Sequence, residues 1–196
     1  MCTPHYRLLA TGYLWPHSSG SGNVQRHGSE HMSELKWLKE YSGQTVDELL
    51  SLEGEYRIDS LVVAFQQAID QKAALDGDDA LSAEERIILA VEALETEVNN
   101  GGYTQFFLNA SQKNAPTIVA ALVRIGCPIT AEITQRAIDA LHLPSLTGET
   151  IEAAMADDEM NEDDLNECDG SYYNSGEDIA GQLFAFVKKN KDAIRL

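Results

Sequence analysis

Two stretches of this chain combine residue types and spacings that could do chemistry. The first is Glu97-Val98-Asn99-Asn100-Gly101-Gly102-Tyr103-Thr104-Gln105-Phe106-Phe107-Leu108-Asn109, where side-chain amides flank a glycine pair and aromatics follow at once. Asn100, Gln105 and Asn109 could hydrogen-bond a tight turn or, alternatively, a ligand, because each amide offers both donors and an acceptor. Buried amides at a turn usually satisfy backbone groups, which favours a helix–helix corner over a pocket. The second stretch is the acidic run Asp157-Asp158-Glu159-Met160-Asn161-Glu162-Asp163-Asp164. Its first chemical reading is calcium. An EF-hand loop opened at Asp157 places Glu159 and Asn161 at ligand positions, but Glu162 stands where the turn needs glycine and Cys168 where a bidentate glutamate belongs.

Other chemistries find less. After Met32 the only histidine is His142, and zinc needs three or four ligands. No Gly-x-Ser-x-Gly elbow occurs, and neither Cys127 nor Cys168 has a histidine close in sequence. Asn99-Asn100-Gly101-Gly102 lacks the Lys-Ser/Thr of a phosphate loop and follows a helix pattern, not a strand. Carboxylates are too abundant for any pair to mark acid/base work. These absences predict a binding protein and not an enzyme, with no cofactor and no metal. The odd cysteine count (Cys2, Cys127, Cys168), without CxxC or metal-ligand spacing, predicts a reduced, cytoplasmic protein.

The elements that must carry these stretches read as helices almost throughout. Thr45-Val46-Asp47-Glu48 and Ser82-Ala83-Glu84-Glu85 each fit a capping box. Apolar residues then recur at helical spacing: Ile58, Val62, Phe65, Ile69; Ile87, Val91, Leu94, Val98; Ile118, Leu122, Ile125; Ile133, Ala137, Leu141. Gly126 with Pro128, and Pro144, close the third and fourth stripes. A short helix is expected over 148–156. A last one is expected from about Asp178, with Ser175 as N-cap, Ile179, Leu183, Phe186 and Val187 facing inward, and lysines near its negative pole. No alternating strand pattern of useful length occurs. The prediction is all-α, a single-domain bundle of about seven to eight helices. Residues 1–31 hold four of the five histidines and little apolar periodicity, and HSSGSGNVQRHGSEHM (17–32) resembles the linker of an expression tag. We expect 1–31 to be a tag or non-native leader outside the fold, and 32–196 to be the domain.

NNGGYTQFFLNAS, the apolar helix ending at Ile125-Gly126, the Cys168-Asp169-Gly170-Ser171-Tyr172-Tyr173 segment and the terminal Phe186-Val187-Lys188-Lys189-Asn190 together resemble the bacterial DNA-mimic protein family. The resemblance runs from about Met32 to Leu196 and centres on an NGGY-x-Q-F core shared with a wider group of helical domains. It implies an all-helical fold, a homodimer, and an acidic surface that occupies the DNA-binding face of a helix-turn-helix regulator. The core motif marks the fold group; mimicry has to be carried by the acids.

The acids are suited to it. The formal net charge is −18 over 196 residues, which repels nucleic acid and anionic membrane and favours basic partners. No apolar run of about 18 residues is present to span a membrane. From Ala137 to Val187 there is no lysine or arginine but thirteen acids, whereas a merely solvated face mixes both signs. Residues four apart on a helix stand about 6 Å apart, while duplex DNA carries a charge every ~1.7 Å of axis. Several acidic elements side by side, or two copies of the chain, are therefore needed. The expected contact set is Glu149, Glu152, Asp157, Asp158, Glu159, Glu162, Asp163 and Asp164. Glu84, Glu85, Glu92 and Glu95, placed opposite the apolar stripe of their helix, would extend it. Asn100, Gly101, Gly102, Tyr103, Gln105, Phe106 and Asn109 form the structural motif. The competing reading has the NNGGYTQFF segment lining a small-molecule or catalytic pocket.

Overall fold

A computed structural model of the protein describes residues 35–156 and 162–196. Every regular element among them is helical: α1 (Val46–Ser51), α2 (Ile58–Asp76), α3 (Ala83–Leu108), α4 (Ala115–Ile125), α5 (Pro128–Asp139), α6 (Gly148–Met155), α7 (Glu162–Tyr173) and α8 (Ile179–Lys189), with three short 3-10 turns between and after them. The fold is all-α, as the periodicity predicts. The leader expected at 1–31 lies outside the described residues.

Local chemistry explains most helix boundaries. Thr45 and Ser82 both form complete capping boxes, the Oε2 atoms of Glu48 and Glu85 reaching back to the cap amides at 2.7 and 2.8 Å. A third box, Thr147 with Thr150, opens α6. Gly126, at φ +98°, ends α4 in the left-handed conformation that glycine adopts without steric penalty. Pro128 then starts α5, where its missing amide costs nothing. The N-cap of α8 is Asp178, whose carboxylate accepts from the Gly181 amide at 3.0 Å, and not Ser175 as the sequence suggested. Asp178 stands immediately before the first helical residue, where a cap can reach.

The long helix α3 is the centre of the packing and touches α2, α4, α6, α7 and α8. This corrects the expectation for its faces. Ile88, Val91, Leu94 and Val98 are buried, Ile87 only half so, and Glu85 and Glu92 are buried as well. A helix covered on several sides has no fully polar face, so its acids cannot all look outward. Glu85 is held by Lys72 of α2 at 2.8 Å, and its Oε1 also accepts the backbone N–H of Arg195 at 2.7 Å. Burial alone would push the Glu85 carboxyl up, but Lys72 and the Arg195 and Ser82 amides outweigh it and hold it below its ordinary value.

The sequence offers no long apolar stripe over 162–173, yet α7 forms there. Leu165, Cys168 and Tyr172 recur at helical spacing and are buried against α3 and α5, while acids fill the first turn, where the helix dipole favours them. No helix among the described residues is long and apolar enough to cross a membrane.

Candidate interaction surface and its supporting corner

The Asn-Gly-Gly-Tyr segment is a break inside α3. Gly101 (φ −167°, ψ 25°) and Gly102 (φ 74°, ψ −174°) leave helical geometry, and the helix restarts at Tyr103. The expected corner is therefore present, with its left-handed residue at Gly102 and not at Gly101. The restarted helix has free amides at its first turn. One of them, Tyr103 N–H, donates to Asp169 Oδ1 of α7 at 2.7 Å. Asp169 thus does for this helix what a local N-cap would do, from 66 residues further along the chain.

Aromatic packing locks the corner in place. Tyr103, Phe106 and Phe107 are fully buried, with the Phe106 and Phe107 rings 5.3 Å apart and the Tyr103 and Tyr172 rings edge-on at 6.1 Å. The Tyr103 hydroxyl shares a hydrogen bond with Thr134 Oγ1 at 2.8 Å. Burial pushes its ionisation well above the ordinary tyrosine value, so it stays a neutral structural group. Gln105 Nε2 and Asn109 Nδ2 both donate to Glu97 Oε2, each at 2.7 Å. Glu97 ties the two halves of the broken helix together, and it is the residue that sequence reasoning passed over. Asn100 is exposed and stands apart from this amide cluster. The amides of Gln105 and Asn109 are committed to a carboxylate across the break, which is the geometry of a corner.

Cys127 and Cys168 are both free and buried. Burial, with Glu177, Glu95 and Asp178 nearby, pushes the Cys127 thiol up to about 12, and burial likewise raises Cys168.

The acidic residues divide into two groups. Glu149 and Glu152 on α6, and Glu162, Asp163, Asp164 and Glu167 on α7, are exposed, as is Asp139 at the end of α5. Helices α6 and α7 both rest on α3, so one scaffold carries both acidic elements. Glu152 accepts from Gln112 Nε2 at 3.3 Å, and Arg136 approaches Glu167 to 4.0 Å. Asp157, Asp158 and Glu159, which the sequence placed in the same contact set, lie outside the described residues.

The second group works inside the fold. Asp169 caps the corner. Glu177 accepts from the Ile129 and Thr130 amides at the start of α5, at 3.0 and 2.7 Å. Burial would raise its carboxyl, but those two amides prevail and hold it below the usual carboxylate range. Asp178 caps α8. On α3, Glu84 pairs with Arg124, Glu95 accepts from the Tyr172 hydroxyl, and Glu85 and Glu92 are buried. The acids of α3 therefore do not extend the surface as expected.

A protein-family model described as DMP19-like protein matches residues 79–190. The chain belongs to the DMP19-like protein family. No curated protein matches it. The DMP19-like match takes in α3 to α8, and so includes the whole corner, the acidic helices α6 and α7 and the capping acids. Helices α1 and α2 lie before it. The family assignment agrees with the resemblance carried by NNGGYTQFFLNAS and the Cys168–Tyr173 segment.

Proposed function

We propose that this DMP19-like protein is a DNA mimic: its acidic face binds the DNA-contacting surface of a basic, helix-turn-helix regulator and keeps it from its site. Family membership supports the reading. The observation that carries it is the exposed, single-signed acidity of α6 and α7, two helices both borne on α3 within a stretch that has no lysine or arginine from Ala137 to Val187. The reading assigns binding and no catalytic step, and it puts the protein in the cytoplasm with its target. Because one helix falls short of the charge density of a duplex, it also assigns a homodimer that sets two acidic faces in line. Light scattering at micromolar concentration checks that directly: a monomer mass would remove the paired-face arrangement.

The test of mimicry is a DNA-displacement titration against helix-turn-helix regulators of the same host. The protein should release at least one regulator from DNA, with an affinity that falls as salt rises. Real DNA adds counterion release, so the salt slope of the mimic should be the shallower of the two. Reversing Asp157, Asp158, Glu162 and Asp163 to lysine should weaken displacement by about a hundredfold or more, if close charge pairs contribute as they do in other steered complexes. The melting temperature should fall by only a few degrees: the lysines replacing Glu162 and Asp163 set positive charge against the dipole of α7, at a cost of about 1 kcal/mol. Failure of every regulator to be displaced, or a reversed variant that competes as well as the wild type, would sink the proposal.

A further inference from the structure

We propose that the Asn-Gly-Gly-Tyr corner is a latch that fixes the acidic helix α7 on the bundle, with Asp169 as its positioning residue. Three polar ties join α7 to the two sides of the break in α3. Tyr172 donates its hydroxyl to Glu95 and Tyr173 donates to the Val98 carbonyl at 2.6 Å, both before the break. Asp169 accepts the Tyr103 amide at 2.7 Å, just after it. Helix α7 therefore straddles the corner and is registered by it.

The glycine pair makes the third tie possible. A Cβ added to Gly102 would stand 2.0 Å from Asp169 Oδ2 and 2.6 Å from its Cγ. Only a residue without a side chain lets the carboxylate reach the Tyr103 amide. The family's core motif thus serves the acidic surface from beneath, through a residue on the neighbouring helix, even though the motif's aromatic side chains face inward. The apolar hold on α7 is modest by itself: Leu165, Cys168 and Tyr172 are its buried residues. A helix whose exposed side is crowded with like charge gains little from its surface, so its placement depends on these ties. That α7 belongs to the contact surface rests on the mimic reading; the latch itself does not.

Cys168 sits on the buried side of α7, next to Asp169, and Cys127 is buried between α4 and α5. The two thiols give an internal comparison. The full chain is treated with a thiol-alkylating reagent under native conditions, and each cysteine-containing peptide is followed by mass spectrometry. Asp169→Ala should raise the labelling rate of Cys168 about tenfold, through local release of α7, and leave that of Cys127 unchanged. Asp169→Asn keeps an oxygen acceptor of the same shape and should label like the wild type.

An equal rise at both thiols, or a D169A protein that does not fold, would show that Asp169 holds the whole bundle and would overturn the latch. No rise at Cys168 would overturn it too, and so would a D169N protein that labels as fast as D169A. The assay needs no partner. If the mimic reading fails in the displacement titration, the labelling result still decides the latch. If both hold, D169A should displace DNA poorly and D169N normally, although the two variants lose the same charge.

Discussion

Replacing Gly102 by valine should lower stability by about 3 kcal/mol or more. Two independent penalties add at this position. Its φ of +74° with ψ near 180° belongs to a region that side chains other than glycine essentially do not occupy. Its missing Cβ also makes room for the Asp169 carboxylate, so any side chain displaces the acceptor of the Tyr103 amide and leaves that amide unsatisfied. For a chain of this size the loss corresponds to a fall in melting temperature on the order of 10 °C. Gly101→Val is the control. Gly101 has a φ of −167°, outside the left-handed region. Its added Cβ would meet only Gln105: the amide end at 2.3 Å, which can swing aside, and the Cβ at 3.1 Å, which must give by a few tenths of an ångström. Its cost should be about 1 kcal/mol, from the lost Gln105–Glu97 bond. Equal urea midpoints for the two variants would contradict the geometry of the break.

Glu92→Gln should stabilise the protein, and by more as the pH rises. Glu92 is 4 % exposed. Burial, then Glu95 one turn on, then Asp59 of α2, push its carboxyl from 4.5 up to about 8. Glu95 is itself raised by burial and by Asp178, the neutral Tyr172 hydroxyl donates to Glu95, and Arg57 is paired with Asp59. With the folded value above the unfolded one, the native state holds a proton that the unfolded chain has released. The stability tied to that proton is complete below 4.5, declines between 4.5 and 8, and is gone above 8. Glutamine keeps the shape and cannot ionise. The variant should match the wild type near pH 4 and exceed it by a few kcal/mol at pH 9, since each tenfold difference in proton affinity between the folded and unfolded chain is worth about 1.4 kcal/mol. Urea unfolding at both pH values measures the difference directly. A gap that is the same at both would mean that Glu92 does not carry the proton.

Much of this arrangement was legible in the sequence because it is local. Capping boxes at Thr45 and Ser82, the stripe on α2 and the glycine break all involve residues within a few positions of one another. What stayed hidden depends on distance along the chain. Asp169 and Glu177 read as surface charge, because nothing within 60 or 40 residues of them marks the Tyr103 and Thr130 amides they cap. Glu85 and Glu92 read as outward-facing, because a helical stripe reports one covered side and α3 is covered on several. Helix α7 escaped notice because its three apolar residues are scattered among acids whose repulsion argues against a helix until α3 and α5 supply the packing. The acidic site was half visible: sequence shows where carboxylates crowd, and only the fold separates those that face water from those that hold the bundle together.

The ties that close this molecule also set an order of events as the chain leaves the ribosome. Tyr103 emerges well before Asp169, Lys72 long before Arg195, and Asp47 long before its partner Lys191. Synthesis proceeds at about 5–20 residues per second, so the earlier groups wait for seconds without their final partners. The helices α1 to α5 can form and collapse during that interval, but the corner cannot be completed until α7 has been made, and Glu85 keeps an open position until Arg195 arrives. A nascent chain stalled before α7 therefore lacks the cap of its corner, and one stalled before Arg195 lacks the last partner of Glu85.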